Sequence, residues 1–541
     1  AGHAVVQASR GGILSRQRGL LPEIAVLSRL IADREIEEIR LPRSPIDVLS
    51  QQLVGMVVLE DRSLRDIHRL LVRSECYRSL AYERLEEIIQ VLSGTYPFVR
   101  PLLDWDPESG RISGRSNSAM ASVTGVGTIP STGNYPVHHL DSRVHLGELD
   151  EEFITESRVG DVFQLGTSSW MIREIKQDRV YVSEAGNRFS EVPFWRAEAG
   201  GRSFELGLKI GAFVQELADR LGSPNEDGEY SKERKERSYG WLADQYSMDG
   251  ESAEALVALI ASQRDFCALP TDRRIVIEYY KDVMNQTHVV LHNYFGRQVN
   301  RAWLLAIERQ LEQLLPYRLY GNAKDNGIEF VLPEWDSSWI QAIRQVSADH
   351  LEKLLTEAIT GSPLLGLAFR RIAETSLLLS RSFTRTPLWQ KRLRGEELLR
   401  AVMPYAERFP YLREAMRESL FDYLDTENLK RVLEAIRSGD MEFIVKETPH
   451  PSAFASQFLA DYVNMRIYEG EGLDDAIKLQ LLNVSKELAG QVFGQEQLSG
   501  AIPPSIVEAE RRRIEETDAV KDADSLYRLL KQSGDKTADE L

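Results

Sequence analysis

Apolar residues recur at helical spacing through most of this chain and at strand spacing in two stretches. Gly19 to Ala32 predicts a helix with Leu20, Ile24, Leu27 and Leu30 on one side. Pro45 opens a second helix, since its missing N–H falls where no helical acceptor exists. Asp61 or Ser63 caps a third stretch, LRDIHRLLVRS. Tyr82 to Ser93 follows, with Leu85, Ile88, Ile89 and Leu92 at helical spacing. Two short strands, Arg100–Leu103 and Arg111–Ser113, flank the turn Asp106-Pro107-Glu108-Ser109-Gly110. Three short helices and a hairpin make a winged helix over residues 43–115. Such units set the third helix either against nucleic acid or against protein, and the pattern leaves both readings open.

The period then changes. Phe163–Gly166, Ser169–Ile175 and Arg179–Val182 read as strands punctuated by glycines, which predicts a small β-barrel-like sheet within residues 116–203. Pro193-Phe194-Trp195-Arg196 follows. Trp195 either stacks a base, with Arg196 on a phosphate, or closes the barrel core. Ile129 sits in the Gly-rich stretch Gly127–Gly133, as an apolar wedge against a base or as a loop anchor.

Phe204 to Leu221 predicts an amphipathic helix, Asn225 to Ser238 a polar peripheral stretch, and Ser252 to Gln263 another helix. Arg274–Tyr279, His288–His292 and Ile328–Leu332 read as strands of a second small sheet, with Arg297–Leu315 a long helix between the last two. The rest of 204–480 is mainly helical, and 481–541 is a charged helical tail. Phe369 to Leu393 carries Arg370, Arg371, Arg381, Arg385, Lys391 and Arg392, which is either a basic nucleic-acid track or a solvated helix face. The fold class expected is multidomain α+β.

Composition narrows the chemistry. The 541 residues, 43% hydrophobic and 28% charged, exclude a disordered or fibrous chain. No apolar run is long enough for a membrane span. Two cysteines, Cys76 and Cys267, make no disulfide framework or Cys-rich zinc site, so a reduced cytoplasmic setting is expected. A net charge of −17 argues against coating nucleic acid with the whole surface, though not against a local basic track. His138, His139 and His145 lack a ligand spacing. His288 and His292 are four apart on a strand, about 13 Å, too far to share a metal. No GxxxxGK[ST] phosphate loop occurs, so no ATP hydrolysis is expected of these residues alone, and no constellation for base modification stands out. The opening, from Ala1, reads as the end of something larger.

Several strings in order along the chain carry a family resemblance. They are Ala1-Gly2-His3 with Ser9-Arg10-Gly11, PIDVLSQQLVG at 45–55, GTIPSTGNYPV at 127–137 and LGELDEEFITESRVGDVFQLG at 146–166. PFWRAEAGGRSFELG at 193–207, HNYFGRQVNRAW at 292–303 and TPHPSAFASQFL at 448–459 complete the set. Together they resemble the large helicase-related (Lhr-type) ATP-dependent helicases of superfamily 2, over residues 1 to about 480. The resemblance implies that residues 1–42 are the end of a second RecA-like domain and its linker. It implies a 3'-to-5' motor on single-stranded DNA or an RNA:DNA hybrid. ATP and Mg2+ would be bound by RecA-like domains in cis or on another chain, with no cofactor in these residues. It also makes Trp195 the stacking tryptophan on the tracking strand and Ile129 the apolar loop contact.

Overall fold

The computed structural model describes residues 11–458 apart from short internal stretches, among them 129–133, 185–200, 313–319 and 380–387. Its first helix, α1 (Leu21–Asp33), buries Leu21, Ala25 and Val26, with Leu27 and Leu30 half-buried beside them. The inward stripe is therefore rotated from the one expected: Leu20 is exposed, and the short Ala25 lets the next helices approach closely.

The winged helix is present. It runs through α2 (Ile46–Leu59), β1 (Arg62–Ser63), α3 (Leu64–Leu71), α4 (Tyr82–Leu92), β2 (Leu103–Asp106) and β3 (Arg111–Gly114), with sheet order β1-β3-β2. Ser63 is the cap of α3, its Oγ accepting from the Asp66 amide at 3.1 Å. Leu85, Ile88, Ile89 and Leu92 are all buried, as their spacing predicts. The first wing strand starts three residues later than expected. Pro101 has no N–H for a ladder, and the Leu102 amide bonds back to the Leu92 carbonyl, so pairing begins at Leu103. A short helix, α5 (Ser118–Gly125), then lies against α2.

Five strands follow: β4 (Asn134–His139), β5 (His145–Asp150), β6 (Val162–Leu165), β7 (Ser168–Ile175) and β8 (Val180–Glu184), in the order β5-β4-β8-β7-β6. The β4–β8 pair is parallel and the others antiparallel. Tyr135, Val137, Leu149, Phe163, Trp170, Ile172, Val180 and Val182 fill its inner face. The sheet curls until the Gly147 backbone faces the Leu165 side chain, bringing the two outer strands together through packing.

The chain continues into α6 (Phe204–Leu221), α7 (Lys232–Tyr246) and α8 (Gly250–Phe266), which share one core with α1. α7 occupies part of the polar stretch expected to be loop-like or peripheral: it is a helix, and it lies at the periphery. It buries only Ser238 and Leu242 and is held by Trp241 and Tyr246, whose rings contact Phe213. A second sheet is built from β9 (Arg274–Lys281), β10 (Thr287–His292), β11 (Tyr320–Lys324), β12 (Gly327–Leu332) and the distant β13 (Glu442–Glu447). Its order is β11-β12-β10-β9-β13, with β13 parallel to β9. α9 (Arg297–Leu311) covers one face. Helices α10 (Trp339–Arg344), α11 (Ala348–Thr360), α12 (Pro363–Thr375), α13 (Leu388–Val402), α14 (Pro410–Glu418) and α15 (Thr426–Ser438) extend the same core to the winged helix. Among the described residues no helix is long and apolar enough to cross a membrane.

Candidate functional site

Ile129, Trp195 and Arg196 lie outside the described residues, but the chain next to them is firmly held. The Gln51 side chain donates to the Gly127 carbonyl and accepts from the Gly127 amide, each at 3.0 Å, so α2 fixes the entry to the Ile129 loop. Gly201 and Arg202, six and seven positions after Trp195, are fixed as closely. A Cβ at Gly201 would meet Arg297 and Asp325 at 2.8 Å, and one at Gly207 would collide with the Tyr294 carbonyl. Gly201 and Gly207 thus let residues 201–207 lie directly on the HNYFGR segment.

Arg202 is the pin of this junction. Its side chain is buried, with Nη1 donating to Glu23 at 2.9 Å and Nη2 to the Asp325 carbonyl and Asn326 Oδ1, both at 2.7 Å. Asp325 Oδ1 in turn accepts the backbone amides of Arg202 at 3.0 Å and Arg297 at 2.9 Å. Nearby, Arg301 is lowered to about 10 by burial and the neighbouring Arg297 charge, against the pull of Asp325.

A second anchor sits on the sheet face turned away from α9. Glu278, fully buried on β9, accepts from His292 Nε2 at 2.8 Å, Thr448 Oγ1 at 3.0 Å, the Ser452 amide at 2.7 Å and Ser452 Oγ at 2.5 Å. Burial pushes its carboxyl up, but these donors outweigh it and hold it below the usual range. Three of these donors, from Thr448 and Ser452, pin the start of TPHPSAFASQFL to the strand, and His292 ties the carboxylate to β10. Lys324 Nζ, donating to the Gln457 carbonyl at 3.1 Å, pins its far end. Beside them His288 lies between Glu329 Oε1 at 2.9 Å and Asp282 Oδ2 at 3.3 Å, stacked on Tyr280. A neutral imidazole has one N–H, so two flanking carboxylates call for imidazolium. Burial pulls His288 down, yet its carboxylate partners raise it to about 9. The cavity at the junction, lined by Pro270, His292, Asn293, Tyr294 and Phe454, has about 10 Å3. That is room for one water at most. No group of three metal-ligating residues is found among the described residues. The arrangement holds segments in place and leaves no space for a substrate to react.

The predicted basic track fares differently. Arg370 is buried, its side chain against Gly395, and half-buried Arg371 donates to the Tyr423 hydroxyl at 3.0 Å. The track's first two arginines therefore belong to helix packing and are not a free basic face. Arg381 and Arg385, with the side chains of Lys391 and Arg392, lie outside the described residues. The third helix of the winged helix also faces protein. Arg84 and Glu87 on α4 approach Glu414 and Arg413 of α14, and its remaining outer positions include Glu83 and Glu86. Acids on that surface repel phosphates. Sequence reasoning missed Arg202 and Glu278. The Gly200-Gly201 pair, and a lone Glu inside the apolar run RIVIEYY, were the available signals.

Two family models match. One, described as "Large helicase-related protein, winged helix domain", covers residues 29–192, and another, "DEAD/H associated", covers 269–455. The chain belongs to the Lhr family. The Escherichia coli (strain K12) protein "Lhr helicase/uracil glycosylase" is 31% identical over 559 residues, covering 100% of this Lhr chain and 35% of that protein. "ATP-dependent helicase Lhr-Core" of Methanothermobacter thermautotrophicus is 27% identical, over 87% of this chain and 54% of its own length. The chain thus spans between a third and about half of the length of these Lhr relatives. The solved structure of Mycobacterium smegmatis helicase Lhr bound to ssDNA and AMP-PNP aligns with a TM-score of 0.63 at 27% identity, covering 82% of this chain and 51% of that one. The three Lhr-like strings at 193–207, 292–303 and 448–459, far apart in sequence, are the ones whose described parts meet at the Arg202 and Glu278 anchors.

Proposed function

We propose that this chain is the nucleic-acid-guiding, C-terminal part of an Lhr-type ATP-dependent helicase. It holds the single tracking strand of DNA, or of an RNA:DNA hybrid, while RecA-like domains bind ATP and Mg2+ and drive 3'-to-5' movement. The observation that carries this reading is the likeness, over 82% of the chain, to a helicase bound to ssDNA. The absence of a phosphate loop from the 541 residues supports assigning hydrolysis to the RecA-like domains. Trp195 supplies a stacking platform and Ile129 an apolar contact. Arg196 meets phosphate next to Trp195.

The test joins two measurements. The purified chain is expected to bind oligothymidylate and to show no DNA-stimulated ATP hydrolysis until RecA-like domains are supplied. Replacing Trp195 with Ala should weaken binding by about 1–3 kcal/mol with thermal stability preserved. Robust turnover by the chain alone, or full affinity in the Trp195 variant, counts against the reading.

A further inference from the structure

We propose that Arg65, Arg69 and Arg73, on the outer side of α3, form a docking surface for the phosphate backbone of a nucleic-acid duplex. The winged helix thereby meets duplex by its second helix and not by its third. This surface is separate from the single-strand path proposed above and stands or falls independently of it.

α3 turns Leu64, Ile67 and Leu71 inward. Arg65 and Arg69 fall one turn apart on the opposite side, and Arg73 follows in the turn that closes the helix; all three are exposed. The side chains of Arg65 and Arg73 have no ion-pair or hydrogen-bond partner among the described residues. Arg69, its side chain 78% exposed, meets Asp66 at 3.3 Å, a surface contact weak enough to be exchanged for a phosphate. Asp66 is also held by the helix cap, accepting from Ser63 Oγ at 2.7 Å. The surrounding acids are engaged as well: Glu60 with Arg62 at 2.5 Å, Glu75 with Arg78 at 2.6 Å, and Asp61 with Arg111. Residues 62–73 thus carry four arginines against one acid, in a chain whose net charge is −17.

The other two surfaces of the winged helix are unsuited to phosphate. α4 is tied to α14 and exposes Glu83, and the turn between β2 and β3 carries Asp106 and Glu108. In helix-turn-helix docking the recognition helix enters the groove and the helix before it crosses the backbone. Here α4 is committed to protein, and α3 keeps the backbone-crossing role. Its guanidinium forks match phosphate oxygens whatever the sequence. A duplex fits this surface better than a single strand, because unstacked bases need aromatic platforms. Around α3, Tyr77 is buried, and His68 and Tyr82 pack edge to face on each other. A protein-binding face would centre on apolar side chains, and Leu70 is the one large apolar residue exposed on α3.

The experiment titrates the purified chain with a blunt-ended DNA duplex and with oligothymidylate, each across a salt series, with thermal unfolding alongside. Replacing all three arginines with Ala is expected to weaken duplex binding at least about tenfold at about 0.1 M salt, and to flatten the salt dependence by roughly one unit of slope per arginine. Oligothymidylate affinity should stay within about twofold, since its path lies elsewhere. Lys at the same three positions should restore most of the lost affinity, because the charge returns. Exposed Arg→Ala changes suit a helix, so folding is preserved; if the triple variant is unstable, Arg65→Ala with Arg73→Ala, which keeps the Asp66–Arg69 pair, decides. No duplex binding by the parent chain, or unchanged affinity and slope in folded variants, overturns the proposal. Equal loss toward oligothymidylate overturns it too, by placing the row on the single-strand path. So does lost binding of separately purified RecA-like domains with duplex binding intact, which makes the row a protein contact. A parent chain that binds duplex but not oligothymidylate counts against the function proposed above and supports the duplex surface.

Discussion

The two five-stranded sheets of this protein solve burial in opposite ways. The middle sheet packs an inner face of plain apolar residues, Val137, Phe163, Ile172, Val180 and Val182 among them, against itself by curling. The C-terminal sheet gives its apolar face, Ile275, Ile277, Val289, Leu291, Ile328 and Phe330, to α9. Its other face buries Glu278, His288, His292 and Glu329, all at most 1% exposed. Apolar packing is indifferent to which partner covers it, within the limits of shape. A buried carboxylate accepts one arrangement of donors and penalises every other. The first sheet is thereby a self-sufficient body, and the second is a docking board for one segment, residues 448–458.

The largest break of this contrast is Glu278→Ala. Stripping the acceptor leaves His292, Thr448 and Ser452 without their partner, and a loss of about 3–5 kcal/mol is expected in urea unfolding. A loss below about 1 kcal/mol would mean that apolar contacts alone seat residues 448–458. The charged face should also answer to pH. His288 is raised from 6.5 to about 9 on folding, so its contribution is complete below its unfolded value and drains away as pH rises through about 9. Denaturation midpoints across that window should decline in the native chain and flatten in His288→Gln. Glu278 runs the other way: its lowered value makes its share present above the ordinary carboxylate range and lost as pH falls through the folded value. The smallest effect belongs to the middle sheet, where Ile172→Val should cost about 0.5–1.5 kcal/mol without pH dependence. A strong pH slope created there would show that its core hides charge after all.

Where one face of an element carries its burial, the sequence was legible. α6 was readable at both ends, because Ser203 caps it, Gly222 stops it, and Leu206, Ile210, Phe213, Val214, Leu217 and Leu221 form one stripe. α7 was not, since an almost wholly polar helix held by two aromatic rings has no stripe to detect. β11, Tyr-Gly-Asn-Ala-Lys, is a strand because the Asp325-Asn326 turn folds it onto β12, and its own residues carry no strand signal. β4, β5 and β13 were also missed: a strand's partners set its pairing, and the partners of β13 lie far back in the chain. At the candidate site, the strings that meet were visible, but the Thr448 and Ser452 donors to Glu278 arrive from 170 and 174 residues away, a distance no local pattern spans. Arg370 misled because adjacent arginines suggest a basic face, whereas successive residues on a helix point about 100° apart and one of them can turn inward.

The parallel pairing of β13 with β9 joins residues 168 positions apart, as the Arg274–Glu442 contact measures. On the ribosome, β9, β10, β11 and β12 emerge as a local meander long before β13 exists. At about 5–20 residues per second the β9 edge waits roughly 10–30 s for its neighbour. Throughout that wait it offers unpaired amides and carbonyls to any extended chain nearby, and the Glu278 carboxylate has yet to receive Ser452. Nascent chains stalled or cut before Glu442 should therefore be the aggregation-prone species of this protein, and the ones that chaperones bind.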